Sequence, residues 1–228
     1  MPHSRHNPSA RYRELLALYT QMHRDGSLVK HPDDNETGLV EITAGETYPG
    51  RSLFPQAHKI KRLVERTNAD TILDYGCGKG LQYNPQLVKV QDRVFDSILD
   101  YWEVLSVHCY DPAYPKFNAL PVGKFDGVIC TDVLEHCPEE DMEWIIGELF
   151  AYAERFVFAN VACYPARAHL PTGENAHCTV REVAWWQDLI ERTAAQHPQV
   201  SWEVWLQYPA TTADGQQVLR ELTIGNAK

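Results

Sequence analysis

The stretch of this chain best suited to chemistry is Asp74-Tyr75-Gly76-Cys77-Gly78-Lys79-Gly80, which follows directly on the apolar run Thr71-Ile72-Leu73. Three glycines at alternate positions let the backbone turn sharply and let a ligand approach the main chain. The spacing is not the dinucleotide fingerprint Gly-x-Gly-x-x-Gly, because position 81 is Leu. The phosphate loop Gly-x-x-x-x-Gly-Lys-Ser/Thr is also absent around this turn. Two more acids follow in chain order. Asp111 closes His108-Cys109-Tyr110-Asp111, and Asp132 lies within Phe125-Asp126-Gly127-Val128-Ile129-Cys130-Thr131-Asp132-Val133-Leu134-Glu135-His136. Asp111 precedes a proline and reads either as a turn acid or as a ligand contact. Asp132 either caps the turn after its strand or meets the ligand. Tyr48, Ser52, Asn160, Tyr164, Glu174 and His177 supply further polar chemistry or ordinary structural hydrogen bonds. Among these His177 is the first choice for a base, since its ionisation falls near neutral pH.

Positioning these groups takes alternating strands and helices. Tyr12, Leu15, Leu16, Tyr19 and Met22 recur at helical spacing between Arg11 and Arg24, with Ser9 as N-cap and Gly26 as the stop. Residues 26–50 read as a long polar loop, and a second helix is expected from Pro55 to Thr67. Strands are expected at 71–75, 104–110, 125–134, 155–162, 200–208 and 218–224. Helices are expected at about 92–102, after Pro138 with Met142, Ile145, Ile146, Leu149 and Phe150 inward, and after a capping box at Thr179-Val180-Arg181-Glu182. This alternation predicts an α/β fold with a mostly parallel sheet covered on both faces and an antiparallel pair at one edge. Lys79 is expected to point to solvent.

The chain has 228 residues, of which 44% are hydrophobic and 11% aromatic, enough for a sizeable core and against wholesale disorder. Its 21 basic and 31 acidic side chains leave a net charge of −10, which argues against a surface built to grip nucleic acid. No apolar run is long enough for a membrane helix, and no secretory leader is recognisable at the N-terminus, so no membrane partner and a cytoplasmic setting are expected. The six cysteines form no Cys-x-x-Cys pair, so no metal site is expected, and they read as reduced, mostly buried thiols.

The glycine segment resembles motif I of the class I S-adenosylmethionine (SAM) dependent methyltransferases, matching it at Asp74, Gly76, Gly78 and Gly80. The acid at the end of the next strand, Asp111, and the 125–136 segment with its Leu-Glu-His ending occur in the same order as in that family. The resemblance covers roughly residues 60–162, plus the helix and strand pair after it. It implies a Rossmann-like methyltransferase sandwich at 55–228, with 1–54 forming an N-terminal helix and lid loop. It further implies S-adenosyl-L-methionine as cofactor, with the glycine loop against its methionine part, Asp74 toward its ammonium group, Asp111 on the ribose hydroxyls and Asp132 in the floor below the sulfonium. Tyr48 and Ser52 fall in the lid and are expected to bind the cofactor, and Asn160, Tyr164 and His177 fall where the family places its acceptor pocket and are the expected catalytic residues. The expected activity is methyl transfer to a small-molecule acceptor. The alternatives are cyclisation of SAM alone, as in the azetidine-2-carboxylate synthases of natural-product pathways, and a non-catalytic SAM-binding subunit. The chain departs from the family between Asp111 and Phe125. Only 13 residues intervene there, too few for a helix and a strand. The usual third strand is therefore expected to be lost or vestigial, and the adenine position is left unassigned, with Asn118 to Leu120 nearest. The oligomeric state is open.

Overall fold

A computed structural model describes residues 2–31, 38–90 and 92–227. Helix α1 (Ala10–Asp25) leads into two short strands, β1 (Ser27–Lys30) and β2 (Leu39–Ile42), and α2 (Ala57–Thr67) follows. Next come β3 (Thr71–Tyr75), the hairpin β4 (Val88–Val90) and β5 (Arg93–Phe95), α3 (Ile98–Trp102) and β6 (Ser106–Tyr110). The chain continues through β7 (Phe125–Thr131), α4 (Met142–Tyr152), β8 (Ala153–Ala162), β9 (Ala168–His169), α5 (Val183–Ala194), β10 (Ser201–Thr211) and β11 (Gln217–Gly225).

Six strands form the main sheet in the order β11-β10-β8-β7-β3-β6, all parallel except the edge strand β11. Side chains alternate across a strand, so both faces of this sheet must be apolar to be buried. Ile72, Ile129, Phe156 and Phe158 pack with α2 and α3 on one face. Leu73, Val128, Val157 and Val161 pack with α4 and α5 on the other. The sheet grows in opposite directions from β3, outward to β6 and through β7 to the rest. That makes the carboxyl ends of β3 and β7 the switch point where ligands bind in open α/β sheets.

Among the described residues no strand lies between β6 and β7, so the third strand is missing as expected, and β6 is left as an edge. Residues 111–117 instead wind into successive turns, with Tyr114 N–H donating to Asp111 O at 3.2 Å and Asp111 N–H to Phe117 O at 3.0 Å.

Five expectations need correction. Residues 26–50 are not all loop, because β1 and β2 pair with each other and β1 also pairs with β9, a partner some 140 residues away that local sequence does not reveal. The helix expected over 92–102 starts only at Ile98. Val-Lys-Val and Arg-Val-Phe alternate and pair as β4 and β5, and the Ser97 hydroxyl caps α3 by accepting Asp100 N–H at 3.0 Å. Helix α2 begins at Ala57 after a 3₁₀ turn that contains Pro55. The capping box at Thr179 does not form. Its hydroxyl donates to Cys137 O at 2.6 Å, and α5 begins four residues later. Lys79 is buried rather than solvent-exposed.

Candidate functional site

A partly open cavity of about 170 Å³ lies at the switch point. Its floor is the glycine loop after β3 and the turn after β7. Its wall is the start of the segment after β6, and its cover is α1 with the strap around Tyr48–Ser52. Gly76, Gly78, Asp111, Asp132, Tyr48 and Ser52 line it, so six of the residues singled out in the sequence come together.

The glycine loop is locked by its own amides. Gly76 and Cys77 N–H donate to Tyr110 O at 2.7 and 3.1 Å, Gly78 N–H donates to Asp111 Oδ2 at 2.9 Å, and Lys79 N–H to Tyr48 O at 2.9 Å. With these donors used internally, the loop is not an anion-binding nest. Glycine is required on contact grounds at Gly76, where φ is 88° and a Cβ would stand 2.4 Å from Val133 Cγ2. Gly80 faces away from the cavity and packs on Phe117.

Asp74 does not line the cavity. Its Oδ2 accepts from the Tyr83 hydroxyl at 2.7 Å and from Gln82 Nε2 at 3.1 Å, while Oδ1 is buried with no hydrogen-bond partner among the described residues. Burial, only partly offset by those two donors, pushes its carboxyl up to about 7. Gln82 does line the cavity and so stands between Asp74 and any ligand. Asp111 accepts Ala113 N–H at 2.9 Å on Oδ1 as well as Gly78 N–H on Oδ2, which leaves lone pairs on both oxygens toward the cavity. Burial raises it to about 6, against the pull of its backbone donors and Lys79.

Five aromatic rings, Tyr12 among them, complete the lining. Tyr48 meets Tyr19, His23 and His136 at centroid distances of 6.1, 5.1 and 6.2 Å. Burial, with Lys79 nearby, pushes His23 down to about 4, so it is neutral near pH 7. Lys79 reaches back from the loop to His23 O at 3.1 Å and ties the end of α1 to the floor. The Tyr19 hydroxyl donates to Ala176 O at 2.8 Å.

The three residues expected to be catalytic do not line the cavity. They lie behind Asp132, a non-glycine residue held at φ 61° on the turn after β7. Asp132 N–H donates to Asn160 O at 3.3 Å, and His177 Nδ1 lies 2.6 Å from Tyr164 O. The Tyr164 hydroxyl turns away to Gln207 Oε1 at 3.4 Å, so Tyr164 serves His177 with its carbonyl rather than its phenol. Asn160 Oδ1 is buried without a partner among the described residues. Glu174 pairs with Arg11 on the surface.

Sequence reasoning missed Tyr19, His23 and Gln82. The first two sit on a helix face whose apolar spacing reads as core, and Gln82 follows the loop with no motif to mark it. Protein-family models, curated proteins and solved structures were compared with the chain, and none matches it.

Proposed function

We propose that this chain binds S-adenosyl-L-methionine in the covered cavity and acts as a methyltransferase on a small-molecule acceptor. The observation that carries the reading is the convergence of the glycine loop, Asp111 and Asp132 on one cavity at the switch point of the sheet. Asp111 has two carboxylate oxygens with lone pairs to spare, which suits a vicinal diol. The Tyr19 and Tyr48 rings, with Asp111 and Asp132, suit a cationic ligand. SAM supplies an activated methyl carbon on a cationic sulfur, so the chain's part is to bind, align and exclude water. Asp74 fits less directly than the motif implies, because it reaches the cavity only through Gln82.

The residues fit the charge and hydroxyl pattern of SAM, but the cavity is small. Sites for drug-sized ligands run to roughly 300–1,000 Å³. Such a ligand therefore projects through the open side or displaces α1 and the strap. The same tight cover favours a second reading in which SAM is the sole reactant. Its α-amine would attack its own γ-carbon, breaking the sulfur–γ-carbon bond and releasing methylthioadenosine and a cyclic amino acid.

Calorimetry with SAM tests the binding reading. Wild-type chain is expected to bind, and Asp111→Ala to bind at least tenfold more weakly; equal affinity would sink the ribose role. Incubation with SAM alone, followed by chromatography of the adenosyl product, separates the chemistries. Methylthioadenosine selects the second reading. S-adenosylhomocysteine formed only when an acceptor is supplied selects the first.

A further inference from the structure

Behind the floor of the cavity, a carboxylate oxygen of Asp132, one of Glu135 and a ring nitrogen of His177 lie within 4.8 Å of one another. Glu135 is fully buried, at 0% exposure. Its Oε1 accepts Ala162 N–H at 2.7 Å, while Oε2 has no donor among the described residues, and Asp132 lies near enough to bond Glu135 only if the two share a proton. Among the described residues no lysine or arginine forms a salt bridge with Asp132 or Glu135. A buried carboxylate without a compensating charge is strongly unfavourable, so Glu135, with the half-buried Asp132 beside it, calls for something positive between them.

His177 narrows what that is. Its Nδ1 lies 2.6 Å from Tyr164 O, a group that only accepts, so the ring proton sits on Nδ1 and the lone pair on Nε2. With Nδ1 taken by Tyr164 O, Nε2 is the nitrogen left to serve as a ligand, so the cluster can offer two carboxylates and an imidazole lone pair. A single shared proton would join the two carboxylates and leave the imidazole out. A metal ion engages all three, as would a second proton on Nε2, and metal uptake separates the two. An imidazole whose other nitrogen donates to a backbone carbonyl is also the arrangement that orients histidine for a metal. His177 is held further by Asn175 Oδ1, which accepts its backbone N–H at 3.0 Å.

We propose that Asp132, Glu135 and His177 form a divalent transition-metal site, with Asp132 linking it to the cavity. One imidazole and two carboxylates suit zinc, which takes three protein ligands and keeps a fourth position open in sites where it acts on a bound molecule. With Asp132 on the cavity floor, the ligand for that position would be an oxygen or nitrogen donor entering from the cavity. The site does not rest on the SAM reading. It holds equally if the cavity takes another ligand.

The test titrates zinc into chelator-treated full-length protein, read by a competing chromophoric chelator and by elemental analysis after desalting. Wild type is expected to retain one equivalent that Glu135→Gln and His177→Ala each lose. Both variants should show a wild-type far-ultraviolet circular dichroism spectrum without metal. Added zinc should raise the Tm of the wild type and leave that of either variant unmoved. His177→Ala removes one ligand and leaves both carboxylates in place, so it reads the site even if Glu135→Gln fails to fold. Equal zinc uptake by wild type and His177→Ala would assign the metal to the chain's cysteines and other histidines and overturn the proposal. No uptake by wild type would overturn it as well, leaving protons to balance the cluster, shared between Asp132 and Glu135 or carried on His177.

Discussion

The floor and the cover of the cavity are built on opposite plans. The floor grows out of buried strands. Its glycine loop spends its amides on Tyr110 O, Asp111 and Tyr48 O, and its turns sit where a Cβ has no room. The cover lies outside those strands; its strap is tied by the backbone bond from Lys79 N–H to Tyr48 O, and α1 by a handful of side-chain anchors. Arg5 pairs with Glu148 and donates to the Tyr75 and Tyr110 hydroxyls at 2.8 Å each. Ser9 N–H donates to Asp141 Oδ1 at 3.0 Å, and Lys79 holds the carbonyl of His23. A floor fixed by backbone and a covering helix fixed by side chains differ in how they yield. The first fails with the fold, and the second opens locally.

Gly76→Ala attacks the floor and is expected to have the largest effect. It adds backbone strain at positive φ to a collision with Val133. A loss of about 2–5 kcal/mol is expected in chemical denaturation, from strain and overpacking together. A loss under about 1 kcal/mol would show the floor to be as yielding as the cover.

Asp74→Asn probes the same floor through pH. The folded carboxyl keeps its proton up to about 7, whereas the unfolded one releases it near the ordinary carboxylate range. The stability linked to this group is therefore complete below that range and is lost as pH rises through about 7. The asparagine variant should match wild type near pH 4 and exceed it by up to a few kcal/mol at pH 8. Parallel stability–pH curves for the two proteins would contradict the burial of Asp74.

Arg5→Ala cuts the tie between the segment leading into the cover and the hydroxyls of Tyr75 and Tyr110. It strands Glu148 in a site about one-fifth exposed, so a smaller loss of about 2 kcal/mol is expected. Limited proteolysis should cut α1 several-fold faster while leaving residues 57–162 protected. Uniform acceleration along the chain would show that cover and floor open as one unit.

Much of the floor was legible in the sequence because its signals are local. Glycines at 76, 78 and 80 must turn, acids end strands, and thirteen residues between Asp111 and Phe125 leave no space for a third strand. The cover and the cluster behind the floor were only partly legible, because they depend on distant juxtapositions. Nothing near Ser27–Lys30 announces a partner at Ala168–His169. Lys79 read as exposed because the helix that buries it lies more than fifty residues earlier. Asp132 and His177 were each visible, but their meeting with Glu135 follows from where two turns land in space. The hairpin at 88–95 was lost to a helical spacing of Val94, Ile98 and Trp102 that belongs to two different elements.

The small three-stranded sheet joins parts of the molecule that would otherwise act separately. Strand β1 continues from the end of α1 and pairs with β9, and α1 packs on Ala166, Leu170 and Ala176 in the segment that carries His177. The cover and the imidazole are thus joined by a continuous path of paired backbone and packed side chains. A cavity ligand and a cation that both preferred one arrangement of that path would, by reciprocity, each raise the other's affinity by the same factor.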